Sequence, residues 1–355
     1  MARALDKCCG GDLIFISTTW IKGDLGAKLG GEIWPGKKRL VARRGKRFVL
    51  EQLKLRKNIM RLLRQIRVEY PKEKMVLFLE NAPFAAATAC AALKKELGIS
   101  CYSITIDTPF AGEFKAKGIK GRINKWMFDR GLKSLHRFDG LISFTEEVKD
   151  DLRVDIPFCS FSIGCNPDSI PEQLPEIISE KTAVYAGTLM YYNGIQEMLK
   201  AFVLLGPEYQ LHIYGYGPLE REVERAASEH SNIVFHGRFD SSNTAEVLAK
   251  YQLLLNPRRI DPAIGNFTFP SKLVDYILTG KSVLTSRFKT LPPQYWDFVY
   301  TMEDTSPEAI AEGIRKVFDD PIEIRQARGR AGIAYIKEHQ TYDKIAGKIL
   351  SFTES

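Results

Sequence analysis

Several short stretches in the second half of the chain place glycine, arginine, lysine and aspartate at spacings that suit a phosphate-bearing ligand. The most informative begins Asn256-Pro257-Arg258-Arg259. After a polar loop it continues Phe269-Pro270-Ser271-Lys272-Leu273-Val274-Asp275-Tyr276, with Gly280 beyond. Proline suits the first turn of a helix and glycine the position just past its end, so this spacing predicts a helix bounded by Pro270 and Gly280. The unpaired N–H groups and positive dipole end of such a helix form an anion site. Lys272 would add a point charge there, and Arg258 or Arg259 a planar fork for phosphate oxygens. Ser271 and Asp275 stand four apart and share a helix face. A carboxylate one turn beyond the amides is placed to hold a ribose diol. The plain alternative is a capped surface helix with ordinary charges.

Two earlier junctions have the same character. Tyr185-Ala186-Gly187-Thr188 leaves an apolar run and leads to Asn193-Gly194, where Gly187 would let backbone approach a ligand closely. Ile213-Tyr214-Gly215-Tyr216-Gly217-Pro218 resembles a dinucleotide fingerprint, but the third glycine that GxGxxG needs is replaced by Glu220. A nicotinamide enzyme is therefore disfavoured. The predicted donor-binding set is Gly187, Thr188, Gly215, Tyr216, Gly217, Arg258, Ser271, Lys272 and Asp275. No two aspartates stand two positions apart to hold a divalent metal against a diphosphate. Phosphate charge would fall to amides, lysine and arginine, and the expected site needs no metal and no other cofactor.

The elements that must position these residues follow an alternating βα pattern, which points to parallel α/β layers. In the first half, strands are expected at Leu13–Ser17, Met75–Leu79, Cys101–Ile106 and Leu141–Phe144. Helices are expected at Phe48–Tyr70, Phe84–Leu97 and Ile119–His136. The Gly-rich, basic stretch from Thr18 to Lys46 reads as a long loop with one poorly defined element. Between Gly164 and Lys181 the prolines Pro167, Pro171 and Pro175 break any regular pattern and mark a linker. Beyond it, strands at Ala183–Ala186, Gln210–Tyr214, Ile233–His236, Leu253–Asn256 and Ser282–Thr285 alternate with helices. The final helices are read at Pro307–Asp319 and Ile333–Thr353. The expected division is an N-terminal domain at 1–165, a linker at 166–181, a C-terminal domain at 182–335, and a last helix at 336–355 packing back on the first domain.

At 355 residues, 45% hydrophobic and 26% charged, the chain suits two globular domains. No apolar run reaches the length of a spanning helix. Met1–Gly11 has no signal-peptide core, and the six cysteines form no CxxC pair, which points to free thiols in the cytoplasm. The net charge of +8 is concentrated. One cluster holds Lys37, Lys38, Arg39, Arg43, Arg44, Lys46 and Arg47; a second holds Lys115, Lys117, Lys120, Arg122, Lys125, Arg130, Lys133 and Arg137. These read either as solvated surface or as attraction to anionic headgroups or a phosphate-bearing acceptor. In the second cluster Ile119, Ile123, Trp126 and Met127 recur at helical spacing, a stripe suiting a membrane interface or the core. No nucleic-acid-binding signature accompanies the charge.

From Cys101 to Asp319 the chain resembles the retaining family-4 glycosyltransferases of GT-B fold, in the branch that builds bacterial surface polysaccharide. The resemblance rests on Ala186-Gly187-Thr188 with Asn193-Gly194, the Gly215–Gly217 turn, Phe235-His236-Gly237, Asn256-Pro257-Arg258, and Phe269-Pro270-Ser271-Lys272 through Asp275-Tyr276 and Gly280. In the first half it rests on Asp107-Thr108-Pro109 and on Phe138-Asp139-Gly140 through Thr145-Glu146. It implies two Rossmann-like α/β domains facing across a cleft. It also implies a sugar donor, a UDP-sugar or another NDP-sugar, held by the second domain, and a glycan or lipid-linked acceptor, with peripheral contact at the inner membrane face. Asp275 takes the place of the second glutamate of the family's Glu-x7-Glu motif, and the first falls on Phe267. The family's Arg and Lys after the first C-domain strand are absent, and Asp107 lies near its N-domain histidine. The catalytic candidates are thus Asp107, Arg258 and Lys272. A sugar-nucleotide epimerase of the same fold and an inactive partner protein at the membrane are the alternatives.

Overall fold

The computed structural model describes residues 2–10, 14–17, 32–34, 37–41, 48–106, 118–173, 176, 178–238, 244–260, 269–302 and 304–355. Their contacts form two compact units. One comprises Met1–Phe161 with Ala346–Ser355, and the other Ser162–Gly265 with Phe269–Ile345.

The first unit runs α1 (Ala2–Cys8), β1 (Phe15–Ser17), β2 (Glu32–Trp34), β3 (Lys37–Val41), α2 (Phe48–Glu69), β4 (Met75–Glu80), α3 (Phe84–Leu97), β5 (Ile99–Ile104), α4 (Ile119–Ser134), β6 (Gly140–Ser143), α5 (Val148–Leu152) and β7 (Phe158–Ser160). Strands β4-β5-β6-β7 form one parallel sheet in that order. The stretch expected to be loop instead contributes β2 and β3, which pair antiparallel, while β3 lies parallel to β1. Helix α3 buries Ala85, Ala86, Ala87, Ala89 and Ala91. Small side chains with high helix propensity let it approach α2 and the sheet closely. Leu55, Ile59 and Leu63 of α2 join this core with Leu135, Phe138 and Leu141.

The second unit continues with β8 (Thr182–Ala186), α6 (Ile195–Leu205), β9 (Gln210–Tyr214), α7 (Glu220–Glu229), β10 (Ile233–Phe235), α8 (Thr244–Ala249), β11 (Leu253–Asn256), α9 (Lys272–Leu278), β12 (Ser282–Ser286), β13 (Tyr300–Met302), α10 (Pro307–Asp319) and α11 (Ile322–His339). Its six strands are all parallel in the order β10-β9-β8-β11-β12-β13. Every residue of β11 and β12 is buried, as expected for the centre of a parallel sheet covered on both faces. The strand order reverses between β8 and β11. Open α/β sheets bind ligands at the carboxyl ends of the strands flanking such a reversal.

The last helices differ from expectation. Ile333–Thr353 is not one helix: α11 ends at His339 and α12 (Tyr342–Glu354) starts anew. Neither proline nor glycine causes the break. Cys165 inserts there, its N–H donating to the Gln340 carbonyl at 2.9 Å and its carbonyl accepting from the Tyr342 N–H at 2.9 Å. The Gln340 side chain accepts from the Tyr295 hydroxyl at 2.6 Å. Residues around the expected linker are tied to the second unit, where the Ile178 N–H donates to Gln252 Oε1 at 2.9 Å.

Candidate active site

Glycines follow the carboxyl ends of β8, β9 and β10: Gly187 and Gly215 directly, and Gly237 after His236. The Gly187 N–H donates to the Tyr214 carbonyl at 2.9 Å, and the Gly215 N–H to the Gly237 carbonyl at 2.8 Å. Gly215 has φ +154, and a Cβ there would lie 1.8 Å from the Gly187 carbonyl oxygen. Gly217, at φ +155, would press a Cβ to 2.6 Å from the Leu189 carbonyl oxygen. Only glycine fits either position, so the two turns close on each other backbone to backbone. Thr188 and Tyr216, at their tips, are exposed. The Asn193 amide fixes Thr188, donating to its carbonyl at 2.8 Å and its hydroxyl at 3.1 Å.

Helix α9 aims two side chains at the same place. Lys272 Nζ donates to the Ala186 carbonyl at 2.9 Å. One turn on, the Tyr276 hydroxyl donates to that same carbonyl at 3.2 Å and accepts from the Ala186 N–H at 3.2 Å. A Cβ on Gly187 would sit 1.4 Å from Lys272 Nζ, so the absence of a side chain at Gly187 makes room for the ammonium. Burial first, and then the nearby positive charge of Arg258, draw the Lys272 pKa down to about 8 against the opposing pull of Asp275. A lysine in that state gains from any anion that approaches.

Arg258, just past β11, is half-buried beside Tyr192, its guanidinium carbon 5.4 Å from the ring centroid. Among the described residues it makes no hydrogen bond or ion pair. Arg259 is the opposite case. It forms an ion pair with Glu197 in the first turn of α6 and lies 4.0 Å above the Tyr191 ring. The sequence offered either arginine as a phosphate fork and the resemblance singled out Arg258; among the described residues Arg258 is uncommitted and Arg259 is engaged. Ser271, just before α9, and Asp275, on it, are both exposed. The Asp275 carboxylate is open to solvent on one side, yet surrounding protein desolvates it enough to raise its pKa, with Lys272 pulling the other way. The Leu273 N–H at the start of α9 already donates to the Pro270 carbonyl at 2.8 Å, which reduces the amides left for an anion. Asp107 and Phe267 lie outside the described residues. Among the described residues, no three His, Cys, Asp or Glu side chains cluster as metal ligands.

The second unit thus gathers Gly187, Thr188, Gly215, Arg258 and Lys272 around its strand-order reversal. Residues 168–334 match the family model for glycosyl transferases group 1. The chain carries a glycosyltransferase domain. Its α/β fold with two parallel sheets matches GT-B glycosyltransferases of known structure. Anabaena HepE, solved in complex with UDP, has 11% identity and a TM-score of 0.67, covering 96% of this chain and 91% of its own. The UDP-forming α,α-trehalose-phosphate synthase of Burkholderia xenovorans has 16% identity and a TM-score of 0.59, covering 84% and 77%. S. aureus TarM, solved with UDP, has 12% identity and a TM-score of 0.56, covering 85% and 59%. No curated protein sequence matches significantly.

Three residues at this site were given no role by the sequence, although Tyr276 and Asn193 stood within its motifs: Tyr276, Tyr192 and Asn193. Tyr276 stands four after Lys272, and that spacing was a readable signal for a shared helix face. Tyr192 carried none and Asn193 stood only beside Gly194; their roles come from a short 3-10 turn, Tyr191–Asn193, that places them by Arg258 and Thr188.

Proposed function

We propose that this enzyme is a retaining, hexose-transferring GT-B glycosyltransferase of the surface-polysaccharide branch. It moves a sugar from a nucleotide-diphosphate donor to a glycan or lipid-linked acceptor. The observation that carries the donor reading is the convergence of a partly desolvated lysine, an uncommitted arginine and glycine-only backbone at the strand-order reversal. That arrangement suits a diphosphate. The UDP found in the HepE and TarM structures favours uridine as the base.

In this reading Lys272 and Arg258 take up the negative charge that builds on the departing nucleoside diphosphate as the anomeric C–O bond breaks. The acceptor hydroxyl attacks the anomeric carbon from the leaving-group face and passes its proton to the departing diphosphate oxygen, so configuration is retained. Asp275 holds the ribose diol, Ser271 and Thr188 add hydroxyl contacts, and Tyr216 with Gly217 borders the base. Asp107 orients the acceptor. Two cations standing where other enzymes use a metal support a metal-independent reaction. Calorimetry of the purified protein with UDP, GDP and ADP, with EDTA and with magnesium, tests this. Binding of one diphosphate at equal strength in both conditions is expected. Binding that EDTA abolishes, or no binding at all, would overturn the donor assignment. Transfer assays with donor alone and with mixed glycan acceptors then separate transfer from epimerisation.

A further inference from the structure

The amino edge of the second unit's sheet holds two buried cations side by side. A Cβ on Gly329 would lie 2.0 Å from the Gly280 carbonyl oxygen, so α11 meets the turn before β12 backbone to backbone. That contact brings together Lys281, which follows Gly280, and Arg325, one turn before Gly329 on the same helix face. Arg325 is 3% exposed and Lys281 4% exposed. Arg325 lies in the first turn of α11, an 18-residue helix whose start no side chain caps. A positive charge in that turn opposes the helix dipole, and Lys281 adds another beside it.

The protein around Arg325 does not answer that charge. Its guanidinium carbon stands 5.5 Å from the Phe318 ring centroid, and its Nε and Nη1 make no hydrogen bond among the described residues. Asp320 acts on Arg325 through its charge. Its carboxylate, however, accepts from the Tyr300 hydroxyl at 2.7 Å and reaches neither of those nitrogens. The Lys281 ammonium donates to the Glu176 carbonyl, while the Glu176 and Glu323 side chains are exposed. Burial lowers the pKa of both cations, and Arg325 adds to the shift of Lys281. Buried guanidinium N–H groups without acceptors are rare and costly.

We infer that Arg325, Lys281 and the first turn of α11 bind a small inorganic anion of the halide class, such as chloride. The anion accepts from Arg325 Nε and Nη1 and from the Lys281 ammonium, and it faces the positive end of the helix dipole. Two single positive charges, one of them tempered by Asp320, balance a monovalent anion better than phosphate. The near-complete burial of both cations also favours an ion small enough to enter without its water shell. Bound there, it ties α11 to the start of β12. The site lies at the opposite strand edge from Lys272 and stands independently of the donor chemistry.

Thermal unfolding of the full chain tests it, with sodium gluconate holding the ionic strength constant. Replacing gluconate by chloride, from about 1 to about 100 mM, should raise the Tm by about 3 °C or more. Lys281→Met and Arg325→Met should each lose that response. The readout is the response to chloride and not the Tm itself, so a change in basal stability does not mask it. Arg328→Gln should keep the response, because that guanidinium serves the Asp297 carbonyl at 3.2 Å. Lys272→Ala should keep it too, which separates this ion from any anion at the carboxyl edge. In crystals grown with bromide, an anomalous peak should lie within hydrogen-bond reach of Arg325 Nε or Nη1. Equal stabilisation by chloride and gluconate, a response that survives in both methionine variants or vanishes in Lys272→Ala, or water at those nitrogens would each overturn the proposal. A bromide peak without a thermal response would mean an adventitious ion only, and would overturn it as well.

Discussion

Two lysines nine residues apart in the second unit both have pKa values lowered by burial, yet they differ in what surrounds them. Lys281 opens β12 at the amino edge of the sheet, only 4% exposed. Its ammonium donates to the Glu176 carbonyl and its N–H to the Thr279 hydroxyl at 3.2 Å. Burial is the first cause of its shift, and Arg325 adds to it. Arg325 is itself buried, with its guanidinium carbon 5.5 Å from the Phe318 ring centroid. Lys272 stands at the carboxyl edge, beside a glycine that leaves space, with Arg258 as a like-charged neighbour and the exposed Thr188 at hand. A desolvated cation is therefore no mark of function by itself. What distinguishes Lys272 is the strand edge it occupies, with the like charge of Arg258 beside it.

Substitution should separate the two lysines most strongly. Lys272→Ala should lower turnover about 10²–10³-fold, more than it lowers donor affinity, because the charge is used as the leaving group develops. Lys281→Met should leave turnover within about twofold and act on thermal stability instead, by about 1–3 kcal/mol. Steady-state kinetics beside thermal unfolding reads both, and equal losses of turnover would dissolve the contrast. Gly187→Ala comes next. Its Cβ would occupy the space of Lys272 Nζ, so it should cost about 10²-fold in kcat/KM through displaced geometry. A fully active alanine variant would mean that the ammonium works elsewhere.

The arginine pair sharpens the same distinction at smaller scale. Arg258→Ala should lower kcat/KM by about 10–100-fold with little change in stability. Arg259→Ala should do the reverse, costing about 1–2 kcal/mol as Glu197 loses its ion pair. Glu197 already has one carboxylate oxygen without a hydrogen-bond partner, so removing Arg259 leaves it worse off. Comparable kinetic losses for the two variants would show that Arg259 leaves Glu197 when donor binds.

Much of this division was legible in the sequence, and the rest was hidden for identifiable reasons. The βα alternation, and with it β8, β9, β11 and α9, could be read from apolar runs set off by glycine and proline. The sequence placed Gly187 and Lys272 in one donor set, but the fit of the Lys272 ammonium into the space at Gly187 could not be read, because no local rule reports strand order. The small β7 and β13 strands were not read at all. Each has three residues, too short for a periodic signal, and each takes its place by pairing with a longer neighbour. The break between α11 and α12 was invisible for a similar reason, since Cys165 imposes it from far away in the chain. The commitment of Arg259 was not readable, because its partner Glu197 lies on another helix.

The gentlest test varies pH and leaves the chain nearly intact. In the folded protein the Lys272 pKa is drawn down to about 8, against about 10.4 for an unperturbed lysine. A bound diphosphate supplies negative charge that raises it again, so binding above that pH takes up a proton. Donor affinity should be flat below about pH 8 and weaken by up to about tenfold per pH unit above it, until the pKa of the complex is reached. Stability moves the other way. Between about pH 8 and about 10.4 the unfolded chain holds the proton more tightly than the folded one, so Lys272 contributes stability that rises with pH across that window. Ligand-free protein should therefore gain stability where it loses donor. Lys281, whose folded pKa is also lowered, adds to the stability slope alone. In Lys272→Met the affinity slope should vanish while part of the stability slope persists, and in Lys281→Met the affinity slope should survive intact. Calorimetry of UDP binding and thermal unfolding, each followed across the alkaline range in both variants, reads the two slopes. An affinity slope that outlives Lys272 would place the titrating group elsewhere.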